Sequence, residues 1–187
     1  MKSLKPVLYC CLLLYAEVSF AQICNYNVIA DAPDRRYSMN ANGVVLDKET
    51  GLTWMRCALG QTWNKTTCTG SGQNYHWQDA QQSAENAVFA GLNDWRLPNR
   101  QELQSIIENS CNEPTINLTA FPNAGSDRFW SSSPYPGYTG YAWIVSFDNG
   151  YGYSGNYGES GSYAVRLVRG AANRDFLRAN KFSPEFN

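Results

Sequence analysis

Hydrophobic and polar positions alternate most regularly in the last third of the chain. Tyr141, Trp143, Val145 and Phe147 occupy odd positions and so share one face of a strand, as Tyr163, Val165 and Leu167 do in a second. Much earlier, residues 43–47 and 52–56 read as the arms of a hairpin that turns through Lys48-Glu49-Thr50-Gly51. The period then changes. Within residues 76–90, Ala80, Ala84, Ala87 and Val88 recur at helical spacing, Asp79 suits the positive end of the helix dipole, and Gly91 suits the C-terminal cap. Asn99-Arg100-Gln101-Glu102 has the form of a capping box, and Leu103, Ile106 and Ile107 make one apolar face after it, up to Asn109. Residues 22–42 read as an extended lead-in and residues 111–126 as loop. Residues 171–187, polar with Pro184 and no apolar period, read as a loosely ordered tail. A hairpin, two helices, a long loop and then antiparallel strands is an α+β order, with helices segregated from strands.

Between the two aromatic strands lies DNGYGYSGNYGESGS, residues 148–162. It holds no Lys, Arg, Cys, His or aliphatic residue. Tyr gives a large contact area at low entropic cost, and Ser, Gly and Asn give adaptable hydrogen bonds, so a rigid strand pair showing such a loop suits recognition. The residues expected to meet a ligand are Tyr138, Asp148, Asn149, Tyr151, Tyr153, Asn156, Tyr157 and Glu159, with residues 134–139 beside the loop. Phe129, Trp130, Trp143, Val145, Phe147, Val165 and Leu167 read as scaffold.

The N-terminus narrows the compartment. Lys2 and Lys5 precede an apolar run over residues 7–15, and Ser19 and Ala21 stand three and one residues before Gln22. This is the pattern of a secretory signal, residues 1–21, cleaved on export; the run is too short to span a membrane. Ala21-Gln22-Ile23 before Cys24 is not a lipid-attachment motif. Removal of residues 1–21 leaves thirteen basic and fifteen acidic residues, a net charge of about −2 with no basic block, which argues against nucleic acid as a partner. Cys24, Cys57, Cys68 and Cys111 then remain, an even number that reads as two disulfides in an exported chain. Three pairings are possible. Cys57–Cys68 closes the Gly/Thr/Asn-rich loop ALGQTWNKTT and is favoured, which leaves Cys24–Cys111. A single histidine, His76, and no CxxC argue against zinc.

Four motifs in order carry a family resemblance. Gly51-Leu52-Thr53-Trp54-Met55-Arg56-Cys57 is followed by Gly91-Leu92-Asn93-Asp94-Trp95-Arg96-Leu97-Pro98-Asn99 with Glu102-Leu103, then Phe129-Trp130-Ser131-Ser132-Ser133, then Val165-Arg166-Leu167-Val168-Arg169. The series resembles the domain family named after the C-terminal domain of the Legionella collagen-like protein, over residues 43–170. The resemblance implies a C-type-lectin-like fold related to formylglycine-generating and sulfatase-modifying domains, on an exported bacterial protein of the periplasm, cell surface or exterior. It implies a role in adhesion or polysaccharide binding. It also extends to the variable proteins of diversity-generating retroelements, which display Asn-, Tyr-, Ser- and Gly-rich residues on this fold.

Each motif also has an architectural reading. Trp95 and Leu97 would be buried, Arg96 would pair with Asp94 or Glu102, Pro98 would set the start of the helix, and Arg166 and Arg169 would be structural cations of the closing strand rather than an anion site. Calcium-dependent lectin motifs are not matched: Glu113-Pro114 is followed by Thr115, and Asn93-Asp94-Trp95 stands in the wrong order. A hard cation wants six or more oxygens, and no spacing of Asp127, Asp148, Asn149 and Glu159 enforces that set. No cofactor is expected. The leading expectation is therefore a non-catalytic module for glycan or a surface protein. A pilus-associated structural subunit and a formylglycine-generating type of enzyme are the alternatives, the last requiring a reactive cysteine pair.

Overall fold

The expected turn at residues 48–51 forms, and a sheet grows around it. A computed structural model describes residues 22–125, 127–156 (backbone alone for 152–156), 161–173 and 176. In chain order the elements are β1 (Ile23–Cys24), β2 (Tyr37–Met39), β3 (Val44–Asp47), β4 (Thr53–Met55), β5 (Thr62–Trp63), β6 (Cys68–Thr69), β7 (Asn74–Tyr75), α1 (Trp77–Glu85), α2 (Arg100–Gln104), β8 (Cys111–Asn112), β9 (Arg128–Pro134), β10 (Tyr141–Ser146), β11 (Gly152–Asn156), β12 (Tyr163–Ala164) and β13 (Val168–Arg169). The signal segment and most of the tail lie outside the described residues.

β3 and β4 pair antiparallel with Val45 opposite Trp54. Asp47 holds their turn: its carboxylate accepts from Thr50 Oγ1 at 2.7 Å, from the Glu49 amide at 3.0 Å and from Arg36 Nε at 2.7 Å. Gly51 sits at φ +78°, where a side chain would be strained. This sheet runs β13-β4-β3-β2, and a five-stranded sheet runs β11-β10-β9-β12-β7. In the latter, β12 and β9 are parallel, the exception in an otherwise antiparallel sheet. The two aromatic strands recognised in the sequence are therefore not direct partners, because β9 lies between them. The segment after β10 also folds back on it as β11, so part of the supposed loop is sheet.

β10 divides the core. Ala142 and Ile144 pack with Trp130, Ala80 and Ala84 of α1, Trp95 and Leu167, while Val145 and Phe147 pack with Leu103 of α2, Ile106, Phe121 and Phe129. Alternate residues of one strand thus serve two apolar layers, as a period of two demands. Both helices exist but are shorter than their patterns suggest. α1 stops at Glu85 because the next residues turn back: Ala90 and Gly91 adopt positive φ, and Phe89 and Leu92 exchange hydrogen bonds of 3.0 and 2.9 Å. α2 stops at Gln104, yet Ile106 and Ile107 stay buried as expected. The result is α+β, two helices on strands with both favoured disulfides, Cys57–Cys68 and Cys24–Cys111, formed. Its layout is compatible with a C-type-lectin-like fold. By loop-closure entropy the bridges, spanning 11 and 87 residues, are worth about 3 and about 4.5 kcal/mol respectively. No helix among the described residues is long and apolar enough to cross a membrane.

The lead-in is tied to the body by more than Cys24. The Glu108 carboxylate, 3% exposed, accepts from the amides of Ala32, Asp31 and Ser110 at 2.8, 3.2 and 3.0 Å and from Ser110 Oγ at 2.6 Å. Burial alone would raise its pKa; the hydroxyl and backbone donors outweigh burial and hold it below the ordinary value. A carboxyl depressed in the folded state adds stability above its unfolded pKa, and that stability is lost as pH falls through the folded value. Glu108→Gln is expected to cost about 1–3 kcal/mol at neutral pH. In urea titrations, the gap from the parent chain is expected to close as pH drops below about 4.

Candidate functional site

The site starts from the N-terminus of α2. Asn99 Oδ1 accepts from the Glu102 amide at 2.8 Å and Glu102 Oε2 accepts from the Asn99 amide at 2.8 Å, the capping box read from the sequence. Glu102 is 3% exposed and also takes both Nη atoms of Arg96 at 2.8 Å. Arg96 Nη2 donates onward to the Gly170 carbonyl at 2.7 Å, and the Arg96 backbone exchanges bonds of 2.9 and 3.0 Å with Val168. One buried carboxylate therefore joins helix cap, motif loop and β13. Asp94, the other partner expected for Arg96, instead takes Arg169 at 2.7 and 2.9 Å, and those hydrogen bonds hold its carboxyl below the usual range.

Against this anchored helix start, β9 leaves its partner. Pairing runs Ile144–Trp130 and then Ala142–Pro134, so Ser131, Ser132 and Ser133 form an irregularity. Their groups find other partners. Ser131 Oγ donates to the Trp143 carbonyl at 2.9 Å, the Ser132 amide to the Pro98 carbonyl at 2.8 Å, and Ser133 Oγ accepts from the Arg100 amide at 3.0 Å. Ser132 and Ser133 of the third motif thus dock β9 onto the start of α2, while Ser131 ties it to β10. The chain then turns through residues 135–140, with Gly137 and Gly140 at φ +92° and +86°, and the Tyr135 amide closes the turn on the Tyr141 carbonyl at 2.9 Å.

This turn carries an aromatic ladder. Tyr138 stacks on Tyr135 at 6.2 Å between ring centroids, Tyr135 meets Trp143 at 4.7 Å, and Tyr138 meets Tyr141 at 5.8 Å. The Arg100 guanidinium lies 3.5 Å from the Trp143 ring centroid. Tyr138 is 66% exposed, and Tyr135, Tyr141 and Trp143 are half-buried. Trp143 is accordingly not core, as its strand face suggested. It stands on the odd-numbered face of β10, but beyond the part covered by Leu103 and Ile106, and Arg100 covers it instead.

The expected site residues that the structure describes fall at both ends of β10. Tyr138 lies at the turn before β10. Asp148, Asn149 and Tyr151 lie at the turn after it, about 17 Å along the strand. There the Asn149 side chain caps the Tyr151 amide at 3.2 Å, and Gly150 at φ +76° closely approaches Ile107. The register of β11 returns toward the ladder: Tyr153 is opposite Ile144 and Asn156 opposite Tyr141. Tyr157 and Glu159 lie outside the described residues. Tyr135 lies in the expected flank 134–139, whereas Tyr141, Trp143 and Arg100 were missed as surface groups. The spacing Tyr135, Tyr138, Tyr141 through a Pro/Gly turn was the available signal.

Arg166 is withdrawn from any ligand. It is fully buried, donates to the carbonyls of Met55 and Arg56 at 3.2 and 2.5 Å, and lies 4.9 and 5.4 Å from the rings of Phe121 and Phe129. Burial pushes its pKa down to about 9, so it stays protonated at neutral pH. Phe129, Trp130, Val145, Phe147, Val165 and Leu167 are buried, as scaffold residues should be.

Residues 43–169 match the family model of the Lcl C-terminal domain. That is well over half of the chain, and the chain belongs to this family. No curated protein matches it.

Glu102→Ala removes the side-chain half of the capping box and leaves Arg96 without its carboxylate. It is expected to cost about 3 kcal/mol in chemical denaturation, whereas Asp94→Ala, at the exposed pair with Arg169, is expected to leave the denaturation midpoint nearly unchanged.

Proposed function

We propose that this member of the Lcl C-terminal domain family is an exported, non-catalytic adhesion module that binds carbohydrate. Its contact surface is the ladder of Tyr135, Tyr138, Tyr141 and Trp143 beside Arg100. The observation that carries this reading is the ladder itself: four aromatic side chains in mutual contact at one sheet end, the outermost 66% exposed. Ring faces present apolar area to the C–H faces of a sugar, while phenolic hydroxyls and the end of β11 supply hydrogen-bonding groups at its edge. Asn156, in register with Tyr141, brings the neutral Gly/Tyr/Ser/Asn segment to the same end. Asp148, Asn149 and Tyr151 then serve the distal turn rather than the contact.

Two facts support a binding rather than a catalytic role. Cys24, Cys57, Cys68 and Cys111 are all in disulfides, so none offers the reactive thiol that formylglycine-generating chemistry needs. His76 Nδ1 sits 3.0 Å from the Gly161 carbonyl, a partner that does not make it a base for a nucleophile. Disulfides also belong to an oxidising compartment, consistent with export.

On a glycan array, Tyr138→Ala and Tyr135→Ala are each expected to weaken binding by about threefold to tenfold, with the melting temperature of Tyr138→Ala unchanged. Tyr151→Ala is expected to bind like the parent chain. Loss of binding in Tyr151→Ala alone would move the site to the far end of β10. Full binding in both ladder variants would favour a protein-contacting structural subunit.

A further inference from the structure

We propose a second binding site, separate from the ladder, that takes a neutral N-acetylated saccharide. It is a groove of about 490 Å³ between the end of α1 and the segment after β4, lined by Leu59, Tyr75, Gln82, Asn86, Val88 and Phe89 among others. Its walls are fixed. The Leu59 amide donates to the Val165 carbonyl and the Gln73 amide to the Leu59 carbonyl, both at 2.9 Å. Gln61 accepts from the Ala58 amide at 3.0 Å and donates to the Asn123 carbonyl at 3.1 Å. Phe89 is locked by its exchange with Leu92 and by Trp95 Nε1 on its carbonyl at 3.3 Å. Cys57, held by its bridge to Cys68, stands in the wall itself. Such a groove is preformed rather than assembled on binding.

Its rim differs from its walls. The side-chain amides of Gln82 and Asn86, four residues apart on the last turn of α1, have no hydrogen-bond partner among the described residues, and Val88 beside them is 75% exposed. Among the described residues no Asp, Glu, Lys or Arg lines the groove, so none of them would pair with a charged ligand there. The negative end of the α1 dipole lies at the rim and disfavours an anion. What fits is uncharged, with an apolar patch to lie on Val88, Ala87 and Phe89 and an amide to pair with Gln82 and Asn86. An acetamido group on a sugar ring has both, its methyl for the apolar wall and its N–H and C=O for the two free amides.

The test is a titration of the disulfide-bonded chain with chitotriose, with maltotriose as the neutral sugar lacking acetamido groups. Chitotriose is expected to bind with a Kd on the order of 1 mM or tighter and maltotriose at least about tenfold more weakly. Gln82→Ala/Asn86→Ala and, independently, Val88→Arg are each expected to weaken chitotriose by about tenfold; all three positions are exposed, so the fold is kept. Tyr151→Ala, at the far turn of β10, is expected to leave this binding unchanged. The proposal is overturned if chitotriose does not saturate, if maltotriose binds equally, or if Tyr138→Ala removes binding while the groove variants keep it. Chitotriose binding at the groove with an inert ladder would sustain this site and count against the ladder alone.

Discussion

The Glu102 carboxylate is the constraint on which the rest of the molecule rests. It caps its own helix, satisfies two nitrogens of Arg96, and through Arg96 holds the carbonyl of Gly170. A buried carboxylate is costly unless its lone pairs are occupied by good donors, and here three are supplied at 2.8 Å. Because α2 cannot shift without breaking this set, the Arg100 amide is fixed for Ser133 and its guanidinium for Trp143. The ladder inherits its rigidity from that chain of contacts, which lowers the entropy a ligand must remove on binding.

A second buried charge works differently. Among the described residues Arg166 has no carboxylate in hydrogen-bonding contact; two backbone carbonyls on Nη1 and two aromatic faces offset part of its desolvation. It grips the carbonyls of Met55 and Arg56 at the end of β4, beside the disulfide at Cys57, so the two apolar layers flanking β10 meet around a fixed joint. Core aromatics are thus spent on architecture, while Tyr135, Tyr138, Tyr141 and Trp143 gather in mutual contact at the β9–β10 turn.

What was legible in the sequence was local. The capping box at Asn99 and Glu102, the turn at residues 48–51 and the short disulfide loop each depend on residues close in the chain, and each formed as read. What was not legible depended on partners far away. The insertion of β9 between β10 and β12 cannot be inferred from alternation, which gives a strand's faces but not its neighbours. Trp143 obeyed the period yet meets Arg100, the first residue of α2, rather than that helix's apolar face, which alternation along β10 cannot show. The single recognition loop divided for the same reason: residues 148–151 and Tyr138 flank one strand, and a strand separates what composition groups together.

The central claim is that the rings around the β9–β10 turn meet the ligand. Amide and indole NMR spectra recorded while adding the tightest-binding glycan from an array test it most directly. The account predicts that the indole N–H of Trp143 and the ring signals of Tyr135, Tyr138 and Tyr141 shift in saturable fashion, while the indoles of buried Trp54 and Trp130 stay in place. Shifts confined to Tyr151 and its turn, with the Trp143 indole unmoved at saturation, would contradict it.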